Sequence, residues 1–421
     1  MSSATSTRRR APRLRTATAV ALAGVVLAGC GSAASGASPA PAAATSTDAT
    51  TSAAPAATGP AGEAVVAVAV TDAGGCVATP DTVPAGAVTF NVTNVDAVGV
   101  SEVELLSDQR IRGERENLAP GFDATFTATL DGGSYELYCP GASTDRTPFT
   151  VTGEAAVSSG DTAALLQQAT VDYADYIDSQ VGFLTEAVAA LQTAIDAGDL
   201  TAAQNAYAAA RPYYERIEPV AESFGDLDPA IDLRIGDVGD PAAWTGFHPI
   251  EQLLFEGGTT VGAEKLAATL VTDIGELQSR TAELSANTRA DAADGDRYLV
   301  DEVANGAVAL LGEVQASKIT GEEEFYSKID LLDFQANVEG SLQAFAALKP
   351  ALNEIDPALV TDVGTRFDTL LALLDTHRDP AAVGGFTLYD DLTDAQITEL
   401  SNALSTVIEP LSVVPSKIAT A

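Results

Sequence analysis

The pattern of apolar and polar positions changes period near the middle of the chain. From about Glu63 to Gly153 apolar residues alternate with polar ones in short runs: Ala64–Thr71, Ala87–Thr93, Ser101–Leu106, Ala124–Leu130, Ser134–Cys139 and Pro148–Thr152. Turn-forming Pro84-Ala-Gly86 and Asp131-Gly-Gly133 fall between the runs and not within them, which predicts strands of a small β-sandwich. After Gly160 the period becomes helical. Leu165, Leu166, Val171, Ile177, Val181, Leu184, Val188, Leu191 and Ile195 recur mostly at three- and four-residue steps, the mark of an amphipathic helix. Further helices are expected over about Thr201–Phe224, Glu264–Asn287, Asp291–Ala316, Lys328–Leu348, Pro357–His377 and Thr393–Leu411, the last opening on the capping-box pattern Thr393-Asp-Ala-Gln396. The expected fold is therefore multidomain: a β-sandwich over 63–153 followed by an all-α helical bundle over 160–421.

The first thirty residues read differently. Basic Arg8, Arg9, Arg10, Arg13 and Arg15 precede an apolar run from Ala17 to Ala28, then Gly29 and Cys30. That run is well short of the ~20 residues that span a bilayer, so 1–29 is expected to be an export signal and not a membrane anchor. Leu27-Ala28-Gly29-Cys30 resembles the bacterial lipobox, which implies acylation of Cys30 and attachment to the outer face of the cytoplasmic membrane; the export route stays open. Residues 30–62 are almost wholly Ala, Ser, Thr, Pro and Gly, too poor in large apolar side chains to order themselves, and read as a disordered tether.

Charge narrows the partners. The net charge is −37 and becomes more negative once the five leader arginines leave, a field that repels nucleic acid and concentrates cations. Acidity alone would equally serve solubility.

Candidate chemistry gathers between Tyr213 and Glu251. On one helix Glu215, Glu218 and Glu222 would share a face, which costs stability unless water or a cation offsets it. His248 and Glu251 stand at i, i+3, a spacing that aims imidazole and carboxylate at one point in helical metal sites; such a pair also arises by chance, and glutamate runs commonly form solvated faces. The chain has two histidines, His248 and His377, so HExxH is absent and a zincin peptidase has no residues to run on. One imidazole among carboxylates favours hard ions such as iron or manganese.

The segments Tyr214-Glu-Arg-Ile-Glu-Pro219, Phe224-Gly-Asp-Leu-Asp228, Thr245-Gly-Phe-His-Pro-Ile-Glu251, Ala316-Ser-Lys-Ile-Thr-Gly-Glu-Glu323 and Asp333-Phe-Gln-Ala-Asn-Val-Glu-Gly340 resemble the imelysin-type helical domain of the EfeO family. The resemblance implies metal binding by His248 and Glu251 with Glu215, Glu218 and Asp232. Where relatives often carry His after the later Tyr-Ser, this chain has Lys328; Asp330 and Asp333 read better as acids at a helix N-terminus. Cys76, Glu102-Val-Glu104, Gly113-Glu-Arg-Glu-Asn-Leu-Ala-Pro-Gly121 and Tyr135-Glu-Leu-Tyr-Cys139 resemble the family's cupredoxin-like domain. A blue-copper centre needs two His and a Cys, and the sandwich has no His. Cys76 and Cys139 then form either a disulfide, as an extracytoplasmic pair would, or, as the family implies, a copper or iron site with Glu102 or Glu104. The resemblance further implies an iron-uptake lipoprotein that captures Fe2+ or Fe3+ for a membrane permease, working beside a haem peroxidase, with assistance in ferrous oxidation by the β-domain. Other readings are an imelysin-like metallopeptidase and a lipoprotein binding polysaccharide or haem.

Overall fold

The computed structural model describes residues 63–421 apart from 108–109, 156–159, 240 and 293–295. The export signal over 1–29, Cys30 and the tether over 30–62 lie outside the described residues.

Alternation in β1 (Ala64–Thr71) turns Ala64, Val66, Val68 and Val70 into the core. The other strands are β2 (Gly75–Thr79), β3 (Thr82–Pro84), β4 (Gly86–Asn94), β5 (Val103–Ser107), β6 (Arg110–Arg115), β7 (Asp123–Leu130), β8 (Gly133–Tyr138) and β9 (Arg146–Thr152). They form two sheets, ordered β2-β1-β4-β7 and β3-β9-β8-β5-β6, with β1/β4 and β3/β9 parallel. Between them Phe90 stacks on Phe126 and meets Phe149 edge-on. Three strands escaped the apolar pattern for physical reasons. β2 and β3 are very short, and β6, Arg-Ile-Arg-Gly-Glu-Arg, is an edge strand whose charges discourage further pairing.

The helical half comprises α1 (Asp161–Asp196), α2 (Leu200–Glu215), α3 (Leu227–Asp232), α4 (Phe247–Glu251), α5 (Glu264–Ala290), α6 (Val300–Ala316), α7 (Asp330–Ile355), α8 (Pro357–Asp375), α9 (Asp394–Leu411) and α10 (Val414–Ala419). The stripe from Leu166 to Ile195 on α1 is buried throughout, and Thr393 caps α9 in the expected box with Gln396. Two expected helices are corrected. The one over Thr201–Phe224 stops at Glu215 and tightens into a 3₁₀ segment, Glu218–Phe224, as Ile217 N–H turns to Tyr214 O. Pro219, which lacks an amide hydrogen, suits the start of that segment. The one over Asp291–Ala316 begins only at Val300, because Asp291 adopts a left-handed conformation that ends α5.

The halves meet along α6. Asn305 donates to Thr127 O at 2.6 Å, Thr129 N–H donates to Asp301 at 2.7 Å, and Arg110 pairs with Glu302 at 2.7 Å. No helix among the described residues is long and apolar enough to cross a membrane.

Candidate metal centre

The abrupt end of α2 positions Glu215 and Glu218. Instead of riding one helical face, they sit on either side of the switch to the 3₁₀ segment, and both still reach the same ammonium: Lys318 Nζ lies 3.1 Å from Glu215 Oε2 and 2.8 Å from Glu218 Oε2. Gly340 on α7 permits this approach, since a Cβ there would come within 2.5 Å of Arg216 O. Asn337, one turn earlier on α7, donates to Glu215 Oε2 at 2.9 Å and to Glu218 Oε2 at 2.5 Å.

Asp232 ends α3 and His248 lies in the first turn of α4. They meet because Gly246 lies at φ +89 with its α-carbon so near Ile231 O that a Cβ would fall 2.0 Å from it, a conformation and an approach that only glycine accepts. His248 Nδ1 is 3.3 Å from Glu251 Oε2, and Glu251 Oε1 accepts from the amides of Tyr326 and Ser327, each at 2.7 Å. Glu251 therefore holds the ring from behind. On the other side Nε2, which has no aligned hydrogen bond, faces Asp232 Oδ1 at 3.4 Å and Glu323 Oε1 at 3.7 Å.

At the centre lies a residue that sequence reasoning passed over. Arg211, fully buried on α2 one turn before Glu215, contacts Glu215, Asp232, Glu323 at 3.1 Å, Glu324 at 2.9 Å and Asp333 at 3.0 Å. Lys318, Glu323, Glu324, Asp333 and Asn337 were likewise given no ligand role. Asp333 does sit in the first turn of α7, yet it is buried against Arg211 and not solvated. The available signal was charge in the wrong place: Arg211 interrupts an Ala- and Tyr-rich stretch, and Asp333 and Asn337 stand at i, i+4 on a helix rich in Leu, Ala and Phe. Lys328 turns to the Phe325 ring and Asp390, and His377, beyond α8, joins none of the carboxylate clusters.

Charges here bias one another strongly. Burial raises the Glu218 carboxyl, with Glu215 adding to the effect and Lys318 opposing it. Burial also acts to raise Asp232, but Arg211 and His248 outweigh it and hold that carboxyl below the usual range. For His248, burial disfavours the imidazolium, yet Asp232 and Glu251 lift it to about 10. Among the described residues, three overlapping groups bring ligand atoms within 4.8 Å of one another: Asp232, His248 and Glu323; Glu215, Glu218 and Asp232; Glu215, Glu323 and Asp333. With the Nε2 proton released, His248 would add an imidazole nitrogen to these carboxylate oxygens, a donor set suited to a hard cation.

The centre opens on a cleft of about 940 Å³ between the halves, lined on the helical side by Glu218, Asp232, Glu313, Lys318 and Glu323 and on the sandwich side by Glu102, Glu104 and Glu116. Burial, with Glu102 nearby and Arg146 opposing, pushes Glu104 up to about 7. Burial and the facing Glu313 push Glu116 up to about 8. Cys76 and Cys139 are joined as a disulfide, Cα to Cα 6.2 Å, and are buried in the sandwich core. With both sulfurs committed to each other, a copper site on this pair finds no support.

Residues 169–413 match the family model described as imelysin. The chain is 39% identical over 337 residues to the "Iron uptake system component EfeO" of Yersinia pestis, covering 79% of this chain and 85% of the relative. It is 38% identical over 336 residues to the protein of the same name in Escherichia coli O1:K1, with the same coverage. A crystal structure of an iron-regulated protein A precursor from Parabacteroides distasonis overlays with a TM-score of 0.48 at 16% identity, covering 62% of this chain and 97% of that one. With an imelysin domain over its helical part and such identity over most of its length, the chain belongs to the EfeO family.

Proposed function

We propose that this protein captures iron outside the cytoplasm at the cluster of Glu215, Glu218, Asp232, His248 and Glu323 and delivers it to a membrane permease. Iron is cargo here, not a resident cofactor. The observation that carries the reading is His248 Nε2, buried, without a hydrogen bond, and facing the Asp232 and Glu323 carboxylates. A metal ion taking the place of the Nε2 proton would be held by the same facing carboxylates. In this scheme Glu251 orients the ring through Nδ1 and its paired amide hydrogen bonds. The uptake role of the EfeO relatives supports iron over other hard ions. Resemblance to the EfeO family extends the reading to a haem peroxidase as a further component, and the lipobox-like Leu27-Ala28-Gly29-Cys30 extends it to an acylated Cys30 after cleavage of 1–29, with a tether over 30–62 that keeps the cupredoxin-like sandwich (63–153) and helical domain (160–421) near the permease.

Calorimetric titration with Fe2+ under anaerobic conditions tests the site. His248→Ala and Glu218→Gln should lose affinity by about a hundredfold or more, and Glu251→Gln by about ten- to a hundredfold, as expected for a residue that acts through the ligand. Unchanged affinity in His248→Ala would refute the site.

A further inference from the structure

Lys318 stands where a captured cation would go. Its buried ammonium lies 2.8 Å from Glu218 Oε2, 3.1 Å from Glu215 Oε2 and 3.7 Å from Glu323 Oε2. Glu215 and Glu218 belong with Asp232 to one of the groups able to hold a metal ion, so a metal and the ammonium compete for the same oxygens. Building on the iron-binding reading above, we propose that Lys318 is a resident, exchangeable cation: iron expels its ammonium from Glu215 and Glu218 into the interdomain cleft, and its return promotes release.

The contrast with Arg211 identifies which cation moves. Arg211 lies within α2, fully buried, tied to five carboxylates and packed on the Phe247 ring at 5.1 Å; it has no route out. Lys318 instead opens the three-residue turn Lys318–Thr320 between α6 and α7 and lines the cleft. Its charge is a compact point on a flexible four-carbon stem, free of the fork geometry that fixes a guanidinium. Glu313, on the last turns of α6, lines the same cleft and offers the displaced ammonium an acidic neighbour. Asn337, a neutral donor, keeps Glu215 and Glu218 in position throughout the exchange.

The physical advantage is twofold. Without metal, the ammonium offsets the mutual repulsion of buried carboxylates and keeps the site assembled. With metal, a doubly or triply charged ion outcompetes a single positive charge, but the cost of moving the lysine is subtracted from its affinity. A carrier must give up its cargo, and this subtraction makes that possible.

The test uses the purified full chain, with anaerobic Fe2+ titration for affinity and transfer to ferrozine for the release rate. Lys318→Met should bind at least about tenfold more tightly and release correspondingly more slowly, a difference of about 1.4 kcal/mol. Its metal-free form should melt below the wild type and regain that loss on loading. Lys318→Arg, which keeps the charge, should bind no more tightly than the wild type. Equal or weaker binding by a folded Lys318→Met overturns the proposal. Should that variant fail to fold, amine labelling of wild-type Lys318 decides: it should be protected without metal and become reactive on loading, and unchanged reactivity overturns the proposal. Wild-type protein that binds no Fe2+, or binding indifferent to Glu218→Gln, defeats the metal site itself; intact binding with no gain in Lys318→Met defeats this inference alone.

Discussion

The sandwich and the helical half treat buried polarity in opposite ways. In the sandwich Asn94, fully buried, donates to Ala97 O at 3.0 Å, Val100 O at 3.1 Å and Leu118 O at 2.5 Å and accepts from Ala97 N–H at 2.9 Å. Every polar atom of that side chain is used to pin loops, and the two cysteines are spent on each other. In the helical half Arg211 and Lys318 face many carboxylates, while His248 Nε2, Asp333 Oδ1 and Asn337 Oδ1 make no hydrogen bond. A protein selected only to fold would do better with apolar side chains there. In the sandwich core satisfied polarity holds shape; buried atoms without a hydrogen bond occur at the joint, as Arg110 Nε and Arg112 Nε do, and gather at the carboxylate centre, where a ligand would meet them.

The largest expected effect comes from Arg211→Met. Removing one member of a buried ionic cluster strands the others, and here five carboxylates lose their partner, so about 5 kcal/mol or more of stability should go. The single tryptophan, Trp244, donates to Leu233 O beside Asp232, so its fluorescence follows unfolding of the helical half. A transition in denaturant shifted by less than about 1 kcal/mol would show that the cluster is not held by this arginine.

The complementary change acts on the other half. Cys76 and Cys139 are 63 residues apart, and opening such a loop in Cys76→Ser/Cys139→Ser should cost about 4 kcal/mol on the chain-entropy account. Circular dichroism in denaturant should show the β-signal melting earlier, with Fe2+ affinity kept. If affinity falls with the disulfide, shape and binding are not divided between the halves as the comparison holds.

Periodicity made the architecture readable where an element is long and one-sided. β1 and α1 are examples, each with an apolar row that faces one core. It failed where the backbone obeys a local event: the switch to 3₁₀ after Glu215, the left-handed Asp291, the charged edge strand β6. The site divides along the same line. His248 with Glu251 and Glu215 with Glu218 were visible because each pair lies within a turn of chain. Lys318 was not, because its partner Glu215 lies more than a hundred residues away; Arg211 has a local partner in Glu215, but its central role depends on Glu323, Glu324 and Asp333, all more than a hundred residues on. A sequence shows the charges that repel one another locally; it does not show the distant charge that makes them tolerable.

The smallest effect lies at the joint between the halves. Glu302 on α6 accepts from Arg110 at 2.7 Å, but burial outweighs both Arg110 and Arg112 and lifts its carboxyl from 4.5 to about 7. A raised acid means that the folded state binds the proton more tightly than the unfolded one. Stability contributed by protonated Glu302 is therefore present at low pH and is lost as pH rises from about 4.5 to about 7, by no more than about 3 kcal/mol. Glu302→Gln removes this titration, whereas Glu104, Glu116 and Asp330, whose carboxyls are also raised by burial, titrate in both proteins and cancel in the difference. Denaturant melts of the two proteins across this range should show the wild type losing ground to Glu302→Gln as pH increases. A constant difference would mean that the arginines keep Glu302 ionised throughout, and that the joint is satisfied like the sandwich and not poised like the metal centre.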